Sequence, residues 1–117
     1  MTDFRTYQLA LELNRDSVGI RLKGPFQDQY DRAVLSIALN LAEGGGRAGK
    51  DRVHFFRIAY GSCREVQACL TIANHPLFKK ADRLGGMIYR LIANPGRGPI
   101  TDTCLPAGGS QLPDASD

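Results

Sequence analysis

The sequence predicts an all-α protein that folds as an antiparallel, up-down-up-down four-helix bundle. Apolar residues recur at steps of three and four in four separate stretches, which is the period of an α-helix. Short breaks that contain glycine, proline or asparagine separate these stretches, and short connections place consecutive helices antiparallel. The chain has 117 residues, of which 43% are hydrophobic. That length and composition predict one domain with a substantial core.

The first two predicted helices cover residues 4–22 and 28–43. In the first, Tyr7, Leu11 and Val18 are expected to face the core. Helix 2 is apolar on nearly every side, because leucine, isoleucine, valine and alanine fill most of its positions. Such a helix is expected to be covered on several sides, by neighbouring helices or by another subunit.

One polar line interrupts helix 2. Its members are spaced by four, four and three residues and therefore share a face: Arg32, Ser36, Asn40 and Glu43. We interpret the line as an internal hydrogen-bonded network that fixes the register of the helix. A ligand-binding line is the alternative interpretation.

The third and fourth predicted helices cover residues 51–73 and 78–93. Helix 3 carries two adjacent apolar seams, a face broader than one partner helix requires, which favours packing against a second chain. Residues 94–117 hold eight prolines or glycines and no apolar period. We therefore predict a bundle over residues 1–93 and a disordered Pro/Gly-rich tail over residues 94–117.

Positive charge is concentrated at the start of helix 3. The formal net charge is +3, and residues 1–93 carry 14 basic and nine acidic residues. The predicted nucleic-acid-binding residues are Arg47, Lys50, Arg52, Arg57 and Arg64. Three of these cations are seven residues apart, so they align along one stripe of the helix and suit phosphate oxygens. A charged, solvent-exposed bundle face is the alternative, and no aromatic residue interleaves the stripe.

The glycine cluster before helix 3 matches the letters of a phosphate-binding loop. Residues 44–50 read GGGRAGK, but Asp51 follows where a magnesium-binding serine or threonine is needed, and no strand precedes the run. We instead predict a flexible loop with positive φ at several glycines. His54 and His75 lack a metal-ligand spacing, and no Glu-x-x-His pair occurs. No enzymatic activity, metal or cofactor is expected.

The cysteines and the N-terminal segment indicate a cytoplasmic protein. The three cysteines are odd in number and form no C-x-x-C pair, which is typical of reduced thiols. The first residues, MTDFRTYQ, contain no apolar signal region. No apolar run approaches the ~18 residues that span a bilayer, so no membrane partner is expected.

Two sequence patterns carry a family resemblance. The first is R-x-x-x-S-I-x-x-N-x-A-E-G, formed by Arg32, Ser36, Ile37, Asn40, Ala42, Glu43 and Gly44 and followed by Arg47. The second is F-x-x-A-x-G-S-x-x-E, formed by Phe56, Ala59, Gly61, Ser62 and Glu65. Over roughly residues 4–91 the chain resembles the bacterial four-helix-bundle family whose founding members are encoded in intervening sequences of large-subunit ribosomal RNA genes.

The resemblance implies a closed antiparallel bundle that assembles as a homopentamer with a basic central region. The chain is also similar to the accessory variability determinant proteins of diversity-generating retroelements. That similarity implies binding of RNA or DNA and of a reverse transcriptase-like protein. Our hypothesis is therefore a non-enzymatic, oligomeric accessory module that binds a nucleic-acid backbone. A protein-interaction scaffold without nucleic-acid binding is the alternative.

Overall fold

A computed structural model describes residues 4–22, 24–98 and 100. The regular structure of that part of the chain consists of four α-helices without any strand. They are α1 (Arg5–Asp16), α2 (Gln27–Gly45), α3 (Gly49–Ile72) and α4 (Phe78–Ala93). The most extensive packing joins α2 to α3, while α3 packs on α4 and α1 lies against both α2 and α4. The predicted all-α four-helix bundle is confirmed.

All four helices contribute to one core. Its large apolar side chains are at most 1% exposed and include Leu13, Tyr30, Ile37, Leu41, Phe56, Leu70, Leu84 and Ile88. Burying a side chain of this size stabilises the fold by about 1.5–3 kcal/mol. In α1 the buried face differs from the predicted one: Tyr7 is buried as expected, but Leu9 and Leu13 are buried where Leu11 and Val18 were expected. None of the helices in the described ranges is both long and apolar enough to cross a membrane.

Helix α1 ends earlier than predicted. The helix stops at Asp16 instead of residue 22, and Val18, which was expected to face inward, is 77% exposed. The Ser17 hydroxyl forms a 2.6 Å hydrogen bond with the Tyr30 hydroxyl of α2. Two residues later Gly19 has a φ of +82°, a conformation that does not continue a right-handed helix. A contact with another helix thus fixes the end of α1, which periodicity alone did not predict.

The glycine cluster belongs mostly to α2. The helix includes Gly44 and Gly45, and Gly46 follows with a φ of −88°. A Cβ atom on Gly44 would lie 2.6 Å from a ring carbon of Phe56, so only glycine lets α2 and α3 approach this closely. The predicted flexible loop with positive φ at several glycines is wrong, because Gly44 and Gly45 are helical and Gly49 alone in this cluster has a positive φ, of +59°.

A second close approach joins α3 to α4. A side chain at Gly85 would collide with the amide nitrogen of Gln67. That amide is buried and donates a 3.1 Å hydrogen bond to the carbonyl oxygen of Ala81. Gly85, the first of the two glycines in the middle of α4, therefore marks a point of close contact between the two helices.

The first residues after α4 run across the corner where α2 meets α3. Ile100 is 8% exposed, and its amide donates a 2.9 Å hydrogen bond to the carbonyl oxygen of Gly45. Residues 94–98 and 100 thus lie against the bundle, although the sequence assigned them to a disordered tail. The rest of that predicted tail, residues 101–117, lies outside the described residues.

Candidate nucleic-acid interface

Arg47 lies at the turn between α2 and α3, and its guanidinium contacts an acidic and an aromatic side chain. Its guanidinium contacts the Glu43 carboxylate at 2.6 Å, four residues earlier. The guanidinium carbon also lies 5.3 Å from the centre of the Phe55 ring, which is within the range of a cation–π interaction. The side chain keeps 47% of its surface exposed. Arg47 can therefore contribute positive potential, but part of its charge is compensated by Glu43.

Arg52 is buried, unlike the other four predicted binding residues. Its side chain is 1% exposed. It donates hydrogen bonds of 3.0 Å to the carbonyl oxygens of Gly44 and Gly45. It also donates to the carbonyl oxygens of Pro95, at 3.0 Å, and Gly98. Every one of these acceptors is a main-chain carbonyl, and no carboxylate is among them.

The burial of Arg52 has a clear physical reason. The last carbonyls of a helix lack donors within the helix. At the end of α2 the guanidinium adds a donor to the carbonyls of Gly44 and Gly45, which also accept hydrogen bonds from the amides of Arg47 and Ile100. Burial lowers the pKa of Arg52, since the charged form loses hydration. The structure therefore removes Arg52 from the predicted nucleic-acid-binding set and gives it a structural role. The sequence contained a hint, because Arg52 is two residues from Lys50 and so points away from the stripe.

Lys50, Arg57 and Arg64 form an exposed row along α3, as their spacing predicted. All three side chains are exposed. In the described ranges neither Lys50 nor Arg57 forms an ion pair with a carboxylate. Arg64 donates a weak 3.4 Å hydrogen bond to the side-chain oxygen of Gln67, which directs its guanidinium toward the side of α3 that faces α4. We call these three residues the α3 basic row.

An open groove of about 550 Å³ lies at the beginning of the row. The lining residues are Gly49, Lys50, Val53, His54, Arg57 and Pro95. Two of the three row cations border it, and the segment that follows α4 supplies Pro95 as the opposite wall. The groove is shallow and opens to solvent, so it suits an extended, negatively charged chain better than an enclosed small molecule.

Two tyrosines lie beside the α3 basic row. Tyr60 is on α3 between Arg57 and Arg64, and its ring centre is 6.1 Å from that of Tyr89 on α4. Tyr89 is 62% exposed. The rings flank the stripe on the side of α3 that faces α4, where the sequence predicted no stacking. Tyr60 could have been found from its spacing, whereas the position of Tyr89 depends on the packing of α4 against α3.

A comparison with protein-family models finds one match over most of the chain. The model described as 23S rRNA-intervening sequence protein matches residues 2–93. The chain belongs to this family. No significant match is found among curated proteins or among solved structures. The similarity to the accessory proteins of diversity-generating retroelements stays a prediction.

In this intervening-sequence protein the polar line of α2 splits into separate contacts. The Ser36 hydroxyl forms a 2.8 Å hydrogen bond with the Ser62 hydroxyl across the α2–α3 interface. The Asn40 amide donates to the Ser36 carbonyl and hydroxyl oxygens, at 2.9 and 3.1 Å. Glu43 instead binds Arg47, and Arg32 is exposed without a hydrogen bond among the described residues. The network thus joins Ser36 and Asn40 to Ser62, and the other two members lie outside it.

An exposed apolar face surrounds that polar network. Leu35 and Leu39 on α2 are 50% and 59% exposed, and Ile58 on α3 is 38% exposed. Leu35 and Leu39 lie on sides of α2 that were expected to be covered by neighbouring helices or another subunit, and Ile58 lies on α3. The predicted contact with a second chain stays a prediction. The face lies on the α2–α3 side of the bundle, whereas Tyr89 marks the α3–α4 side.

The described residues contain no group of three histidine, cysteine or acidic side chains that could hold a metal ion. The GGGRAGK run is also not arranged as a phosphate-binding loop. Its first two glycines are helical, and their carbonyl oxygens accept hydrogen bonds from Arg52.

Proposed function

We propose that this intervening-sequence family member is a non-enzymatic accessory module that binds the phosphate backbone of RNA or DNA. The supporting observation is the α3 basic row, whose Lys50 and Arg57 are exposed and without an acidic partner in the described ranges. Arg47 adds further positive charge at the turn. A row of cations on a smooth helix face recognises phosphates and carries little sequence information.

A salt titration of binding tests this proposal. Contacts to phosphates release counterions, so the affinity for a fluorescent RNA or DNA duplex should fall steeply as the salt concentration rises. The double variant Arg57→Gln with Arg64→Gln should weaken binding and reduce the slope of the logarithmic salt plot by about two. The control is Arg15→Gln, which removes an exposed arginine from α1 and should reduce the slope by much less. Absence of binding at low salt, or equal effects of both changes, would contradict the proposal.

The exposed apolar face supports self-association as a second part of the proposal. Leu35, Leu39 and Ile58 expose large apolar side chains on neighbouring helices, and exposed apolar patches mark interaction surfaces. The family resemblance favours a homopentamer. Light scattering should then give a mass near five times the 12.8 kDa of one chain.

A charge placed on the apolar face should disrupt the assembly. Leu39→Lys is expected to shift the mass toward one chain, because a buried lysine would lose its hydration. Val18→Lys is the matched control, since Val18 is 77% exposed and lies in the turn after α1. A monomeric mass for the unmodified protein refutes self-association.

A protein-interaction scaffold without nucleic-acid binding is the alternative function, and the same apolar face favours it. A reverse transcriptase-like partner follows from the retroelement similarity alone. Affinity purification with and without nuclease separates the two functions. A partner that stays bound after nuclease treatment, together with absence of RNA or DNA binding by the pure protein, favours the scaffold.

A further inference from the structure

The contact between Tyr60 and Tyr89 places aromatic rings at the outer edge of the α3–α4 interface. The two ring planes are inclined by 52°, and Tyr89 keeps 62% of its surface in solvent. Neither hydroxyl forms a hydrogen bond in the described part of the chain. The Tyr89 ring is therefore accessible to a ligand from solvent, while Tyr60 of α3 contacts it.

The α3 basic row flanks these rings. Tyr60 is three residues after Arg57 and four residues before Arg64, so all three share one side of α3. Arg64 leans toward Gln67, whose amide in turn binds the Ala81 carbonyl of α4. The Arg64 guanidinium consequently lies near the same α3–α4 interface as the tyrosine pair. Arg57 and Arg64 are separated by about 10 Å along the helix axis, which leaves room for a nucleotide between them.

An exposed aromatic ring beside a row of cations fits unpaired nucleotides better than a duplex. Bases in a duplex are stacked on each other, so a protein side chain reaches only their edges and the backbone. An unpaired base can stack on an aromatic ring, while arginines hold the phosphates on either side. We propose that the α3–α4 face of this protein binds single-stranded RNA or DNA, with one base stacked on Tyr89 and the adjacent phosphates bound by Arg57 and Arg64.

An exposed acidic residue of α4, Asp82, borders this surface. It directly follows Ala81, whose carbonyl oxygen accepts a hydrogen bond from Gln67, the residue that Arg64 also contacts. Because Asp82 repels phosphates, the bound strand would run from Arg64 past the tyrosines toward Lys50 and the groove, away from Asp82. Asp82→Asn should accordingly strengthen binding.

This inference rests on the proposed nucleic-acid binding and adds the preference for single strands. The test compares fluorescence anisotropy for a single-stranded RNA of about 12 nucleotides and a blunt duplex that contains the same strand. Tyr89→Leu keeps an apolar side chain but removes the ring, and Tyr89→Phe keeps the ring. We expect Tyr89→Leu to weaken single-strand binding about tenfold, as the loss of one stacked base does. Tyr89→Phe should bind like the unmodified protein, and duplex affinity should change less than about twofold in both variants.

The outcomes separate the inference from the function on which it rests. If single strand and duplex bind equally, and binding depends on Arg57 but not on Tyr89, the single-strand preference is overturned. Backbone binding is then left intact. Absence of binding to either RNA would overturn both. A third outcome is that Tyr89→Leu keeps its single-strand affinity but no longer binds a protein partner that stays bound after nuclease treatment. That result would show that the face binds protein and would also overturn the inference. Because Tyr89 is exposed, its substitution is expected to preserve the fold, which circular dichroism verifies.

Discussion

The Nε atom of Arg52 donates a 3.0 Å hydrogen bond to the carbonyl oxygen of Gly44. The donor lies in the first turn of α3 and the acceptor in the last turn of α2. The same guanidinium also binds the segment after α4, through the carbonyl oxygens of Pro95 and Gly98. One buried arginine thus joins three parts of the chain through hydrogen bonds to main-chain carbonyls.

Replacing Arg52 is expected to destabilise the whole bundle. Arg52→Met keeps much of the apolar stem but removes four hydrogen bonds to main-chain carbonyls. We expect the free energy of unfolding to fall by roughly 2–4 kcal/mol, measured by urea denaturation. Arg57→Met is the matched control, because Arg57 is exposed and its replacement should change stability by less than about 0.5 kcal/mol. Similar values for the two variants would show that the buried hydrogen bonds contribute little.

A pair of glycine-to-alanine changes tests the packing of α2 against α3. A Cβ atom at Gly44 would lie 2.6 Å from the buried Phe56 ring, so Gly44→Ala should lower the free energy of unfolding by about 1–3 kcal/mol. A Cβ atom at Gly61, in the middle of α3, meets nothing within 4 Å. Gly61→Ala should therefore raise stability by about 0.5–1 kcal/mol, since alanine favours the helix. Thermal denaturation of both variants measures the difference, and a stable Gly44→Ala protein would contradict the observed packing.

The helices could be predicted from the sequence, but several of their ends could not. Periodicity identifies the four helices, but in α1 it selected Val18, which is exposed, and missed the buried Leu13. The end of α1 depends on a hydrogen bond between Ser17 and Tyr30, and Arg52 ties the end of α2 to α3. Both partners are distant in sequence, so local propensities do not contain this information.

The candidate site, like the helices, could be predicted only in part from the sequence. The spacing of Lys50, Arg57 and Arg64 placed them on one side of α3, which the structure reproduces. Tyr89 joins that side only because α4 packs there. Charge composition alone included Arg52 in the set, because a count of cations does not distinguish an exposed guanidinium from a buried one.

The buried thiol of Cys63 should make stability fall at alkaline pH. Burial raises the pKa of this thiol from 9.0 to about 12, with Arg64 opposing the shift and Asp82 adding to it. The Sγ atom also lies 3.3 Å from the carbonyl oxygen of Ala81, which favours the protonated form as donor. Above pH 9 the unfolded chain loses the proton while the folded protein keeps it, so the unfolded state is increasingly favoured up to about pH 12. The contribution of this group is about 1.4 kcal/mol per pH unit in that interval.

The slope of stability against pH, rather than stability itself, measures this effect. Burial also raises the pKa of Tyr30 and of Cys69, so the unmodified protein includes their contributions. Cys63→Ala removes one titrating group and should give a shallower decline in urea denaturation above pH 9. Parallel declines for the two proteins would indicate that the thiol ionises equally in the folded and unfolded states.

Asn40 binds Ser36, which in turn binds Ser62, and these three residues lie beside the exposed apolar side chains of α2 and α3. Asn40→Leu removes the side-chain donor of the network but leaves the hydrogen bond between Ser36 and Ser62. We expect the fold to persist, stability to fall by about 1 kcal/mol, and amide hydrogen exchange near the α2–α3 corner to accelerate. Asn14→Leu is the control, because this half-buried asparagine of α1 has no side-chain hydrogen bond in the described ranges. If Asn40→Leu matched Asn14→Leu in stability and in exchange at the corner, the network would not fix the register of α2 on α3.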